Sequence, residues 1–471
     1  TKARLVAYVI DTQTGAMLNA CFQNLDEECV PAHKPEPGPD PDPDPDPDPD
    51  PEPEVDTATL TAQAPAYAAQ GDFEVTATVG STSESGLDNW TLTFECDGRT
   101  QTESGAMIPH GEQKTLTFTA TAMTDMTAEY TLTLTAEHLE EPLTATGAVS
   151  GLAFIPARRI LVEQAASADC PLTPAAMCVA ESLDSHEDVI PVAVHLAGDP
   201  MHADGYAPFA GTAPSFRVDR DPEAVPAGEG DCVPDPADED SALARILAYR
   251  SVPAFVSLGL DAAYIKTSGK VTGIDVMADL TPAKTLDGSE LAWGFILTEN
   301  NVTDAAVAQA NGLSSLVSLP ETHPFRLLPA TVPGMYFHDV AREVYGYSGL
   351  DKSVPMRRLE PGKKVTYHTV LSMPACATDT RELYLTACLY DVSTGRVMNA
   401  VRVPLSPEAR PKVTARDVLD ALTSIPGVEG CDPSAAQAAW FNLQGMPVAN
   451  PVPGQIYIVR RGSVVTKELA R

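Results

Sequence analysis

Residues Arg158 to Cys178 read RRILVEQAASADCPLTPAAMC, and at this point the periodicity of the chain changes. The apolar run around ILVEQ has the composition of a strand, and Pro174–Leu183, PAAMCVAESL, reads as a helix. Asp188–His195 (DVIPVAVH) is a second strand and Pro214–Val218 (PSFRV) a third. Strand, helix, strand, then a strand opened by proline is the order of a thioredoxin-like unit. Cys170 stands directly before the helix, where the positive end of the macrodipole favours a thiolate. A dithiol oxidoreductase needs a second thiol three residues on, to resolve the mixed disulfide. That place is held by Thr173. Cys178 does not substitute, because eight helical residues carry it ~12 Å along the axis, beyond the ~7 Å Cα separation that a disulfide tolerates. Two readings of Cys170 follow. In one, the Thr173 hydroxyl steadies a thiolate that forms mixed disulfides or reacts with peroxide. In the other, the unit is a scaffold whose thiol no longer serves. Pro214 sits where such folds place a cis-proline facing the cysteine.

Upstream, residues 56–155 carry period-two alternation of apolar residues and threonine. Phe73–Gly80, Trp90–Cys96, Thr115–Ala122 and Tyr130–Ala136 are each strand-like and separated by Gly, Asn and Asp turns. An antiparallel, immunoglobulin-like sandwich is expected. Trp90 is a core residue on this reading, with a carbohydrate-binding role as the sharper alternative. Downstream, residues 253–406 return to strands at Ala254–Leu260, Val271–Leu280, Leu291–Leu297, Lys364–Ser372 and 383–403. The intervening stretch, about 303–360, opens with the alanine-rich DAAVAQA and is expected to be partly helical. Long insertions of this kind carry binding more often than sheets do, so Tyr336, Phe337 and His338, beside Met335, are candidate binding residues. Packing against the sheet is their alternative role. His195, Asp199 and His202 have ligand-type side chains, but three candidates at loose spacing favour structural hydrogen bonds over zinc. No metal or cofactor is expected.

Leu5–Ala20, LVAYVIDTQTGAMLNA, returns as Leu385–Ala400, LTACLYDVSTGRVMNA, at a constant offset of 380 with seven of sixteen residues identical. Each copy reads as strand, D-x-x-T-G turn, strand. The repeat implies that residues 1–28 are the terminal hairpin of a preceding β-sandwich domain, and that the chain is a piece of a longer tandem protein whose export signal lies upstream. A linker, 29–55, follows. Its core, PEPGPDPDPDPDPDPDPEPE at 35–54, holds ten prolines and nine carboxylates. Alternating proline and like charge favour extended polyproline II, on the order of 60 Å long, and splay the carboxylates too far apart to converge on calcium.

The linker explains part of the charge. The whole chain of 471 residues has 65 acidic and 31 basic side chains, a net charge of −34. Without residues 35–54 the balance is still −25. Such a surface repels nucleic acid and anionic headgroups, which excludes nucleic-acid partners. No run approaches the ~20 apolar residues of a transmembrane helix. Nine scattered cysteines define no framework, although Cys21 with Cys29 and Cys376 with Cys388 are close enough in sequence to pair in an oxidising compartment. Cys232, in the acidic loop GEGDCVPDPADED, suggests a solvated connection, and a scaffold helix follows at Asp240–Arg250.

RRILVEQAASADCPLTPAAMC, with VIPVAVHLAGDPMHADGY and TAPSFRVDRD, resembles the Omp-twenty-eight-related outer membrane protein family of Bacteroidota, whose members join a thioredoxin-like domain to a β-rich one. The resemblance continues through AWGFILTENNVT and YFHDVAREV and spans about 157–405. The family's C-x-x-C-P is reduced here to Cys170-Pro-Leu-Thr173-Pro174, which sets dithiol chemistry in doubt. At the C-terminus, AAWFNLQGMPVANPVPGQIYIVRRGSVVTKELAR resembles type IX secretion sorting segments, through Trp440–Gly445, Val448, Pro453, Gly454 and Tyr457–Val459. This implies contact with outer-membrane export machinery. A structural hairpin without sorting is the alternative.

The expected fold is therefore mainly β and multidomain: β-sandwiches flank one α/β thioredoxin-like domain at 156–252, with a sandwich at 253–406 and a linker and sorting-like β-meander at 407–471. The expected function is a non-catalytic, cell-surface or secreted interaction or adhesion protein, with a protein or glycan partner. The alternative is a monothiol redox protein with Cys170, Thr173 and Pro214 at its site.

Overall fold

The computed structural model describes residues 4–10, 17–24, 57–137, 139–206, 211–304, 306–346, 358–423, 439–442, 445–449, 452, 455–461 and 464–469. The proline-aspartate linker, the D-x-x-T-G turn of the first repeat and Cys29 lie outside these residues. The chain divides into two compact units, Thr1–Val55 and Asp56–Arg471. The first contains an antiparallel hairpin of strands Arg4–Ile10 and Met17–Asn24. The second is mainly β and multidomain, built from several separate sheets.

The Thr-rich strands form a two-sheet sandwich. One sheet has three strands, Ala58–Gln63, Gly71–Ser81 and Gln113–Ala122. The other has five, in the order Tyr67–Ala69, Leu143–Leu152, Thr127–Thr135, Leu87–Cys96, Arg99–Ile108. The alternation follows from the pleat: Val75, Ala77 and Val79 point inward, as do Trp90, Leu92 and Phe94, while the threonines between them face outward or lie half-buried. Trp90 is 1% exposed. It is a core residue, and the carbohydrate-binding alternative has no accessible ring to work with.

An eight-stranded sheet organises the rest. Its order is Val225–Pro226, Ser215–Val218, Ile160–Ala166, Val189–His195, Val340–Tyr345, Leu291–Glu299, Leu383–Asp391, Val397–Pro404. The first two α/β strands are parallel, and Ser215–Val218 runs antiparallel to the Ile160 strand. Helix α1, Thr173–Leu183, connects the parallel pair, and α2, Ala242–Ala248, packs beside it through Leu243 and Ile246. The sheet is continuous across residue 252, where composition suggests a boundary, because the Val189 strand bridges to the Val340 strand at Ala193 and Val340. Leu291–Glu299 is buried at all nine positions. It lies inside the sheet with both faces covered, which is why its sequence, LAWGFILTE, is an apolar run rather than an alternation. One face meets a three-stranded sheet, Val256–Thr267, Lys270–Pro282 and Val365–Ser372, through Trp293, Phe295 and Leu297.

The alanine-rich DAAVAQA does not form a helix. Asp304 closes a turn by accepting the Ala306 N–H at 2.8 Å, and Ala308–Ala310 pairs as a strand with Thr331–Pro333. Alanine's helical preference is under 1 kcal/mol per residue relative to most side chains, too little to outweigh such pairing. A single helical turn occurs further on, at Pro324–Leu327. After the sheet comes helix α3, Ala415–Thr423. The described C-terminal strands, Ala439–Phe441, Ile456–Arg461 and Val464–Leu469, form an antiparallel meander.

Candidate functional site

The strand Ile160–Ala166 ends in a loop that turns into α1, and the loop is held by its own small side chains. The Thr173 hydroxyl donates to the Ser167 carbonyl at 2.9 Å and accepts the Ser167 N–H at 3.4 Å. Backbone N–H groups of Cys170 and Thr173 donate to the carbonyls of Ser167 and Cys170, both at 3.1 Å. Pro174 lies in the first turn of α1, where its missing N–H costs no helical bond. The Cys170 thiol donates to the Ala213 carbonyl at 3.5 Å, and the Ala213–Pro214 peptide is cis. Cys170 and the Pro214 loop are thus brought together, with Thr173 close by in the same turn. The Thr173 hydroxyl, however, is buried and committed to Ser167, so its bonds steady the loop backbone rather than the thiol.

The insertion closes over this loop. Ala310 N–H donates to the Ala168 carbonyl and Gly312 N–H to the Pro171 carbonyl, each at 2.8 Å. Between them the Gln309 side-chain amide donates to the Cys170 carbonyl at 3.1 Å. A Cβ at Gly312 would stand only 3.0 Å from Pro171 Cβ and its carbonyl oxygen, so glycine permits the close approach. Sequence reasoning missed Gln309 and Gly312. A lone glutamine in a small-residue stretch carries no local signature of a partner in another part of the chain.

His195, Asp199 and His202 do come together, around a turn. Asp199 accepts N–H bonds from Ala168 at 2.6 Å and Met201 at 2.8 Å, and its carboxylate lies 3.1 Å from His195 Nδ1. Burial pushes the Asp199 carboxyl up, but His195 and these N–H groups outweigh it and hold its pKa below the usual value. His202 Nδ1 bonds the His195 carbonyl at 2.7 Å. Among the described residues no group of three or more His, Cys, Asp or Glu side chains converges as a metal ion requires.

A cavity of about 110 Å³ lies between α1, the sheet and the insertion. Its lining includes Thr173, Met177, His195, Tyr336, Phe337 and His338. Met335 and Phe337 are buried core residues, and the Phe337 ring meets His195 edge-on, centroids 5.5 Å apart. Tyr336 and His338 are half-buried. The His338 tautomer is forced, because the Asn301 N–H donates to Nδ1 at 3.3 Å and Nε2 therefore donates to the Val413 carbonyl at 2.9 Å. Burial lowers its pKa.

Charges ring one side of the cavity. Lys412 donates to Asp184 and Asp339, each at 2.6 Å, and Arg402 donates to Asp339 at 2.6 Å. Burial opposes ionisation of Asp339, but Arg402 and Lys412 outweigh it and hold the carboxyl at about 2. Burial pushes Asp184 and Glu181 up.

Cys96, Cys178, Cys232, Cys376 and Cys388 are also free thiols. Burial raises Cys178, whose Sγ lies 3.9 Å from His323 Nε2, and pushes Cys232 and Cys388 up to about 12. Cys376 and Cys388, close enough in sequence to pair, are both free: Cys376 donates to the Arg342 carbonyl at 3.2 Å, while Cys388 is sealed inside the sheet. Cys232 is buried against α1 rather than solvated.

No protein-family model matches the chain. No curated protein matches it either. Among solved structures the chain is similar to HBP35 of Porphyromonas gingivalis, at 14% identity over 67% of this chain and 98% of that one, with a TM-score of 0.37. It is also similar to a domain of the outer membrane lipoprotein Omp28 from Porphyromonas gingivalis, at 16% identity, 33% and 92% coverage and a TM-score of 0.18. A further neighbour is red sea bream transglutaminase, at 10% identity, 74% and 31% coverage and a TM-score of 0.22.

Proposed function

We propose that this chain is a non-catalytic cell-surface or secreted interaction protein, in which the thioredoxin-like unit serves as a scaffold. The observation that carries the reading is the closure of the Cys170 loop. Residue 173 offers a hydroxyl instead of a second thiol, and that hydroxyl is bonded to Ser167. The carbonyls of Ala168, Cys170 and Pro171 are taken by residues 309–312 of the same chain. A thioredoxin-type substrate would lie along this loop, whose backbone carbonyls the insertion already engages.

The exported address rests on the resemblance of residues 157–405 and of the C-terminal strands, together with an acidic surface. We take the domain limits at 56–155, 156–252, 253–406 and 407–471 as working modules on the same ground. The partner is a protein or glycan, and the side chain offered to it is the half-buried Tyr336, which lines the cavity, while the nitrogens of His338 beside it are taken within the chain.

Reduction of a disulfide-bonded protein substrate, followed with the full chain and with Cys170→Ser, tests the reading. No turnover by either is expected, together with identical melting. Turnover by the parent that Cys170→Ser abolishes, or a mixed disulfide trapped at Cys170, overturns it in favour of a monothiol redox protein.

A further inference from the structure

Val162, Gln164 and Ala166 share one face of the Ile160–Ala166 strand, since side chains alternate along it. Leu161 and Ala165, at the positions between, pack on the far side of the sheet with Ile190 and Val194. Val162 packs on the near side against Ala176, Val179 and Leu183 of α1. The Gln164 side chain therefore points into the space beneath α1, and all three residues of its face line the cavity there. Small side chains leave that space open: Ala166 and Ala193 come to it from the sheet and Ala180 from α1. Met177, Phe325 and Phe337 are among the larger apolar groups that complete the walls.

Gln164 is 6% exposed, and its amide has no hydrogen-bond partner among the described residues. A buried amide is costly to leave in that state. Other polar groups of the lining are already engaged within the chain: the Thr173 hydroxyl bonds Ser167, the two His338 nitrogens bond Asn301 and Val413, and His195 Nδ1 lies beside Asp199. A lone water on Gln164 would need about two to four polar partners, and Val162 and Ala166, its neighbours on the same face, offer no polar side chain. An apolar cavity of about 150 Å³ admits benzene. This one, at about 110 Å³ and with one free amide, is scaled to a single ring that carries one polar atom.

Charge narrows the class further. Among the described lining residues, the carboxylates of Glu181, Asp184 and Asp339 stand against the ammonium of Lys412, which is already held by two of them. An anionic ligand meets repulsion and no uncommitted ammonium, and apolar walls penalise any buried charge. Glu181 and Asp184 are exposed and Thr414 is half-buried, so the cavity reaches the surface between the end of α1 and residues 412–415.

We propose that the cavity beneath α1 is a binding site for a small, uncharged, single-ring ligand of the phenol class, whose hydroxyl donates to the Gln164 amide oxygen while its ring packs among Met177, Phe325 and Phe337. The site depends neither on Cys170 chemistry nor on a protein or glycan partner.

NMR titration of the full chain with phenol, toluene and benzoate tests it. Phenol is expected to bind with a Kd of roughly 1 mM or tighter, and about tenfold more tightly than toluene or benzoate. Gln164→Leu keeps the bulk and removes the amide, so phenol weakens about tenfold while toluene does not. Ala180→Phe fills the space and loses both. A parent that takes up no phenol, or that binds benzoate as tightly, overturns the proposal. So does phenol binding that Ala180→Phe leaves unchanged in a folded protein. Should that variant fail to fold, Gln164→Leu decides alone: an unchanged ratio of phenol to toluene affinity overturns the assignment.

Discussion

The Gln309 side chain donates to the carbonyl oxygen of Cys170 at 3.1 Å, across 139 residues of sequence. The bond joins the insertion to the loop that carries Cys170 and Thr173. Gln309 is fully buried and also bonds the Ala310 carbonyl at 2.8 Å, so it acts as a staple between two backbone segments. Gln309→Leu keeps the volume and removes both donors, at a stability cost of about 1–3 kcal/mol. The expected result is severalfold faster alkylation of Cys170 with no gain of reductase turnover, measured by mass spectrometry of the labelled peptide.

Asp339 sets an acid limit on stability. Its carboxyl titrates at about 2 in the fold against an ordinary value of 3.8. The folded pKa is the lower one, so its contribution is present above 3.8 and is lost as pH falls from there towards about 2. Urea denaturation at pH 6, 4 and 2.5 is expected to show a drop in the last interval that Asp339→Asn flattens. At neutral pH the same variant costs about 3–5 kcal/mol, because Arg402 loses a charged partner in a buried setting.

His338 works at milder pH. Its neutral form is bonded at both nitrogens, and protonation destroys the acceptor that receives the Asn301 N–H. The lowered pKa means that stability is complete above the ordinary value of 6.5 and declines as pH falls below it. His338→Gln retains one acceptor and one donor without titrating. Its unfolding midpoint is expected to be flatter than the parent's between pH 7 and 5, and an unchanged slope counts against this role.

Gly105 faces Trp90 across neighbouring strands of the first sandwich. A Cβ there would lie 2.5 Å from Trp90 Cζ2. Neither the ring, buried in the core, nor the strand can give way cheaply. Gly105→Ala is expected to cost about 1–3 kcal/mol, read as faster amide exchange in Leu87–Cys96.

The elements whose apolar pattern is local were legible in the chain itself: the threonine strands, α1 bounded by Pro174, and the repeated hairpin. Asp304–Ala310 misled because alanine favours helix only weakly, and the deciding partners, Ala168 and Thr331–Pro333, lie elsewhere in sequence. At the candidate site Cys170, Thr173 and Pro214 were visible as residues, and their proximity followed from strand order. The direction of the Thr173 hydroxyl was not visible, since Ser167 and Cys170 lie equally near in sequence and only the turn geometry chooses between them. Lys412 had no signal at all, because its two carboxylate partners, Asp184 just after α1 and Asp339 in the insertion, lie far away in sequence.

The segment between the sheet and α3 behaves mechanically as a strap. Arg410 bonds Glu382 at 2.6 Å, the Pro411 carbonyl and Val413 N–H hold Asn301, and Lys412 is pinned between two carboxylates. Val413, Thr414 and Ala415 then form part of the cavity wall. Among the described residues none after Ala415 lines the cavity, so its wall is built by the strap and the start of α3 rather than by the C-terminal strands.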